Sequence, residues 1–247
     1  MEQSQFRQGE APDQSGDEVR YSRAERAGLY RAIVERRDMR HFVSGAQVAP
    51  EVLERLLKAA HWGPSVGFMQ PWRFMRITDA ALRERLHACV ERERLATAAA
   101  LGERQADFMR LKVEGLREAA ELLAVCLMDG RERHVFGRRT MPYMDIASVG
   151  CALENLWLAA RAEGLGVGWV SIFDPVDMSE LLGLPEGATP LALLCIGPVP
   201  AFYEEPMLQR ERWARRMPLS DVVYENRWGE SAPFLEGHDT RGGPEAD

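Results

Sequence analysis

Apolar residues recur along the chain in two rhythms. Leu53, Leu56, Leu57 and Ala60 fall at helical spacing across residues 50–61. Ile146, Val149, Leu153, Leu156, Trp157 and Ala160 form one stripe across residues 145–163, which the spacing predicts as the central buried helix. Residues 73–78 alternate instead, with Phe74 and Arg76 on one face and Met75 and Ile77 on the other, as in a strand. The nearly unbroken apolar runs 122–128 and 192–196 predict strands covered on both faces. A first helix is expected after Ser22, which stands at capping-box spacing from Glu25, and it should turn Leu29, Ile33 and Val34 inward. Residues 80–90 predict another helix, and a short one over 178–182 ends at Gly183. Residues 91–121 are rich in Ala, Arg and Glu, helical in propensity but weakly amphipathic at their start. They form either a mobile helical cover over a site or a peripheral helical pair. Residues 129–141 are a polar loop. Residues 1–22 and 230–247 are too polar to join a core and are expected to be mobile tails on a single domain of residues 23–229.

Between the helix at 50–61 and the strand at 73–78 runs Gly63-Pro64-Ser65-Val66-Gly67-Phe68-Met69-Gln70-Pro71-Trp72. Its two prolines and two glycines forbid regular structure, because proline fixes φ and lacks an N–H while glycine relaxes φ. Ser65 and Gln70 offer hydrogen bonds, and Phe68, Met69 and Trp72 offer apolar walls. Such a loop either holds a planar polar heterocycle or is a tightly packed turn. The first helix ends in Arg36-Arg37-Asp38-Met39-Arg40. Three arginines within five residues are either a solvated helix end or a clamp for a phosphate, which suits the planar guanidinium fork. Asp38 would repel a phosphate, so within a clamp it must face something else.

Composition removes several classes. The formal charge of −7 argues against a general nucleic-acid binder, and 46% apolar residues in 247 suffices for a substantial core. No apolar run approaches the ~18 residues of a membrane span, and Met1-Glu2-Gln3-Ser4 opens no signal peptide. The expected location is cytoplasmic, with no membrane partner. Cys89, Cys126, Cys151 and Cys195 are widely spaced among apolar neighbours and are expected to be buried free thiols. The five histidines show no metal-binding spacing, so no metal site is expected. Gly164-Leu165-Gly166-Val167-Gly168-Trp169-Val170-Ser171 follows a helix and opens a strand, the reverse of a dinucleotide fingerprint, and Ser171 lies in no nucleophile elbow. Ser171, if buried, needs a hydrogen-bond partner, either backbone or ligand.

Taken together, the arginine cluster 36–40, the loop 63–72, Asn155-Leu156-Trp157-Leu158-Ala159-Ala160 and the tract 164–171 resemble the flavin nitroreductase superfamily, and within it the 5,6-dimethylbenzimidazole synthase branch. The resemblance spans about residues 30–228. It implies an α+β, nitroreductase-like fold, with a central mostly antiparallel sheet flanked by helices, and an intertwined homodimer with flavin mononucleotide (FMN) at the subunit interface. It also implies that Arg36, Arg37, Asp38, Met39 and Arg40 contact FMN. His61, Pro64, Ser65, Val66, Gly67 and Gln70 are implied contacts from the loop, with Gly168, Trp169, Val170 and Ser171 from the glycine tract. Arg216, before Met217-Pro218, is implied as a further phosphate contact.

Ordinary members of the superfamily commonly carry a small polar residue where this chain has Asp38, and often Asn where it has Phe68. The synthase branch has the aspartate, and Ser171 matches a functional serine there. The resemblance therefore implies an oxidoreductase that consumes reduced FMN with O₂, giving 5,6-dimethylbenzimidazole and a tetrose phosphate, and a separate flavin reductase as supplier. Asp38 is the expected base toward the ribityl chain, its pKa raised by burial and lowered by the arginines. Ser171, too weak a base for that task, is expected to orient the flavin. The alternative is an NAD(P)H-dependent nitroreductase or flavin reductase that recycles its flavin.

Overall fold

The computed structural model describes residues 20–235 and divides the chain into two compact units, one of residues 36–215 and one drawn from residues 1–35 and 216–247. Residues 1–19 and 236–247, most of the two expected tails, lie outside the described residues.

The larger unit is built on a four-stranded sheet of β1 (Trp72–Arg76), β2 (Glu121–Leu127), β3 (Gly166–Val170) and β4 (Thr189–Gly197), in spatial order β1-β2-β4-β3 and antiparallel throughout. β2 and β4 are central, which is why their sequences are almost wholly apolar: both faces must be covered. Along β2, Leu123, Val125 and Leu127 join one core cluster while Leu122, Ala124 and Cys126 join the other. Pro190, which has no N–H to give to a ladder, sits where the β2–β4 register shifts at Val125/Cys126.

One face is covered by α2 (Pro50–His61) and α5 (Met144–Ala162), which contribute Leu53, Leu56, Ala60, Val149, Leu153 and Leu156. The opposite face carries α3 (Ala80–Ala100) and α6 (Pro175–Leu182), with Leu86, Cys89, Val90, Met178 and Leu182 buried beneath them. The helix predicted over 80–90 runs ten residues further. Asp79 caps it by accepting from the Leu82 N–H, and nothing breaks it until Gly102, at φ 55°. A short α4 (Gln105–Arg110) follows, with Phe108 buried, so the segment expected to be helical is so for about its first two thirds.

In the smaller unit, α1 (Arg23–Glu35) begins as predicted. Ser22 N–H and Oγ–H donate to Glu25 Oε2, and Glu25 N–H donates back to Ser22 Oγ. Its apolar residues do not turn inward: Leu29, Ile33 and Val34 are all exposed. Of the four thiols, Cys89, Cys126 and Cys195 are buried, and burial pushes Cys126 up to about 11 and Cys195 to about 12. Cys151 is exposed, against expectation, since it lies off the apolar stripe of α5.

Candidate active site

The arginine turn is stitched to β3. Asp38 forms an isolated parallel bridge with Val167, and Met39 N–H donates to Val167 O at 2.9 Å. The approach is close enough that a Cβ on Gly168 would lie 2.2 Å from Met39 O, so only glycine fits. The same approach fixes the Asp38 side chain. Trp169 N–H donates to Oδ1 at 3.0 Å, and Arg40 Nη2–H donates to Oδ2. The carboxylate keeps 43% of its surface, yet the surrounding protein is dense enough that desolvation raises its pKa. Arg40, the Trp169 N–H and Arg36 pull the other way and are outweighed. Burial and the arginines, the two influences expected on this carboxyl, thus sum to a raised pKa.

The three arginines differ. Arg40 is 9% exposed, and its Nε and Nη1 are buried without a hydrogen-bond partner among the described residues. Buried N–H groups left unpaired are costly, and two on one guanidinium suit an anionic ligand. Arg36 lies over the Trp157 ring, 4.8 Å from its centroid, with Nε 3.3 Å from Glu154 Oε1. Arg37 spends its fork on main chain: Nη1–H donates to Arg36 O at 2.9 Å and Nη2–H to Glu204 O at 2.8 Å. Behind the turn, Arg40 N–H donates to Tyr203 Oη at 3.3 Å, and that hydroxyl meets His41 Nδ1 at 2.6 Å. Neither Glu154 nor Tyr203 carries a sequence signal of its own: no local motif marks Tyr203, and Glu154 lies one residue before the 155–160 stretch.

The loop 63–72 is a shaped backbone. Gly67, Phe68 and Gln70 take φ of 52°, 54° and 48°, and the two non-glycine residues there are strained. Ser65 Oγ accepts from Gln70 N–H at 3.1 Å, so this hydroxyl serves the turn itself. Val66 N–H donates to Ser148 Oγ at 3.0 Å, and Ser148 in turn donates to Met144 O. Gly63 abuts α5, where an added Cβ would stand 2.8 Å from Ala152 Cα. His61 Nδ1 accepts from Trp72 Nε1–H at 3.2 Å, joining the end of α2 to the start of β1. Of the three apolar walls expected, Met69 and Trp72 are core residues; only Phe68, 83% exposed, faces out, and Pro64 is exposed beside it.

A buried carboxylate absent from the sequence reading holds the neighbouring segment. Asp145, at the start of α5, has Oδ2 3.1 Å from Arg131 Nε and 3.0 Å from Arg138 Nη2. These pairs fix residues 131–138, whose Phe136 carbonyl would be 2.9 Å from a Cβ on Gly67.

The expected site residues thus fall into two groups. Arg36, Asp38, Met39, Arg40, Gly168, Trp169 and Val170 meet around β3, and Ser171 follows as an exposed residue just past the strand, not within it. His61, Pro64, Ser65, Val66, Gly67 and Gln70 gather beside the N-terminal half of α5. Their anchors on α5, Trp157 and Ser148, are nine residues apart, which is about 14 Å along the axis and about half a turn around it. Arg216 belongs to the smaller unit, where it is exposed. Among the described residues no group of three His, Cys, Asp or Glu is placed to hold a metal ion, and no helix is long and apolar enough to cross a membrane.

The arginine turn, with unpaired N–H groups on Arg40 beside a carboxyl of raised pKa, has the chemistry to grip an anionic ligand and move a proton. The nitroreductase family pattern matches residues 33–198, and the chain belongs to that family. Within it, the chain is 43% identical over 195 residues to the 5,6-dimethylbenzimidazole synthase of Rhodospirillum rubrum, covering 78% of this chain and 92% of that protein. It is 36% identical over 203 residues to the protein of the same name from Rhodobacter capsulatus, covering 81% and 97%. The fold is also that of an iodotyrosine deiodinase solved with FMN and 3-iodo-L-tyrosine, at a TM-score of 0.61 and 24% identity over 81% of this chain and 98% of that one.

Proposed function

We propose that the chain is a 5,6-dimethylbenzimidazole synthase, an oxidoreductase that uses dioxygen to fragment reduced FMN into 5,6-dimethylbenzimidazole, the lower ligand of cobalamin, and a tetrose phosphate, with the remaining pyrimidine-ring atoms of the flavin released separately. The observation that carries the proposal is the Asp38 carboxyl, held by the Trp169 N–H and Arg40 with its pKa raised. A reductase that recycles its flavin has no use for an acid there. The two relatives above, both named synthases, support the same choice.

Arg40, with Nε and Nη1 unpaired, and Arg36 are the residues that would hold the FMN phosphate. Reduced FMN, when bound, supplies the electrons for dioxygen and the ring atoms of the product. Asp38 accepts a proton from a ribityl carbon or hydroxyl, a role open to it only once it is ionised. Ser171 donates a hydrogen bond that orients the flavin, and its exposed position past β3 leaves its hydroxyl available for this. The site lies at the interface of a homodimer. The exposed apolar stripe of α1 and the placement of the two residue groups on opposite sides of α5 both favour completion by a second copy. A separate cytoplasmic flavin reductase supplies reduced FMN.

The test is spectroscopic. FMN reduced without oxygen, mixed with an equimolar amount of protein and then aerated, should fail to regain its yellow absorbance. Full return of that absorbance, with turnover of NADPH and a nitroaromatic, would make the protein a recycling reductase instead.

A further inference from the structure

We infer that Trp157 is a positioning residue for the acid and the phosphate-gripping arginine, acting through Arg36, the Arg37 carbonyl and Trp169. The inference rests on the flavin-phosphate site proposed above. Trp157 stands on α5 and is 9% exposed. Its position in the apolar stripe demands only a hydrophobe, and neighbouring stripe positions Leu153 and Leu156 are leucines.

The indole makes three contacts that leucine cannot make: two are with Arg36 and Arg37, and the third, with Trp169, reaches Asp38 through the Trp169 N–H. Its face lies under the Arg36 guanidinium, 4.8 Å from carbon to centroid. Glu154, one turn earlier on the same side of α5, brings Oε1 to 3.3 Å from that Nε as an ion pair without hydrogen-bond geometry, so Arg36 is held at its face by the ring and drawn by charge at its edge. Its Nε1–H donates to Arg37 O at 3.2 Å, which fixes the peptide plane immediately before Asp38. Its ring stacks on Trp169, with centroids 6.5 Å apart and planes 22° apart, and the Trp169 N–H holds Asp38 Oδ1. One side chain therefore sets the direction of the cation, the backbone leading to the acid, and the residue that grips the acid. Trp157 itself need touch no ligand.

A role confined to filling the core would lower stability and weaken every flavin alike. Positioning Arg36 would weaken ligands that carry a phosphate. Affinities for oxidised FMN and for riboflavin, measured by quenching of flavin fluorescence, separate these, with circular dichroism confirming the fold. Wild type should prefer FMN. Trp157→Leu should cut that preference about tenfold or more while riboflavin affinity stays within about threefold, as loss of a cation–π contact and a buried hydrogen bond implies. Trp157→Phe, which keeps the ring but not the N–H, should restore most of the preference, leaving a loss of about two- to fivefold. Equal weakening of both ligands, or an unchanged preference, would overturn the inference. If the leucine variant does not fold, Trp157→Phe decides alone: the two- to fivefold loss supports the inference and an unchanged preference overturns it. A wild type without preference for FMN would overturn the phosphate assignment, and the inference with it, before any variant is made. A wild type that prefers FMN yet forms no benzimidazole would sink the proposed chemistry while the preference of the variants still supports the role of Trp157.

Discussion

The main-chain N–H of Trp169 donates to Asp38 Oδ1 at 3.0 Å, across a bridge between the arginine turn and β3 that only the absence of a side chain at Gly168 permits. The carboxyl is thereby held in a place where protein crowds it, and desolvation outweighs the pull of Arg40 and Arg36. Because its pKa in the fold is raised above the ordinary 3.8, the folded protein binds this proton more tightly than the unfolded chain. The stability contributed by Asp38 is therefore present below 3.8 and is lost as pH climbs through the raised value. Urea midpoints of flavin-free wild type and Asp38→Asn, compared across the acid range, should show wild type losing ground to the variant as pH rises through that window. Parallel curves would show an unshifted acid.

Ser171 is exposed beyond β3, so Ser171→Ala should leave the unfolding free energy within about 0.5 kcal/mol of wild type, as is usual for surface substitutions. FMN binding should persist while benzimidazole forms more slowly. Formation at the wild-type rate would remove Ser171 from the site.

Gly168→Ala places a Cβ 2.2 Å from the Met39 carbonyl and 3.2 Å from Arg40 Nη1. Overpacking of this kind costs about 1–3 kcal/mol, and here it also pushes the arginine turn off β3. Chemical denaturation should register that loss, and FMN affinity should fall with it. An unaltered midpoint and affinity would show that the turn tolerates separation from the strand.

Asp145→Ala strips Arg131 and Arg138 of the carboxylate they share, leaving two partly buried cations without it. Removing one partner of a buried pair costs about 3–5 kcal/mol. The segment 131–138 packs against Gly67, so the variant should also raise the dissociation constant for FMN. An unfolding free energy within about 1 kcal/mol of wild type would mean that solvent compensates the arginines.

Much of this architecture was legible in the chain itself. The stripe of α5 and the apolar runs of β2 and β4 are strong periodic signals because these elements form the centre of the core, where burial alone dictates sequence. The ends were harder: α3 runs on to Ala100 because its Ala, Arg and Glu residues favour helix without needing an amphipathic face. The apolar stripe of α1 misled, since periodicity says that a face must be covered but not by what. At the site, the residue types at 36–40 and 63–72 were visible, whereas the sign of the Asp38 shift depends on the three-dimensional approach of β3. The engagement of the Arg37 fork with Glu204 O, and the service of Tyr203 and Asp145, come from residues distant in sequence whose side chains carry no local pattern.

The central claim is that this fold positions an acid to break up its own flavin. Anaerobically reduced FMN should be mixed with wild type and with Asp38→Asn, exposed to air, and the released small molecules separated by chromatography. Wild type should yield 5,6-dimethylbenzimidazole, and Asp38→Asn should bind FMN yet return it intact. Benzimidazole from the variant at the wild-type rate would contradict the role of Asp38, and intact FMN from wild type would contradict the proposed function itself.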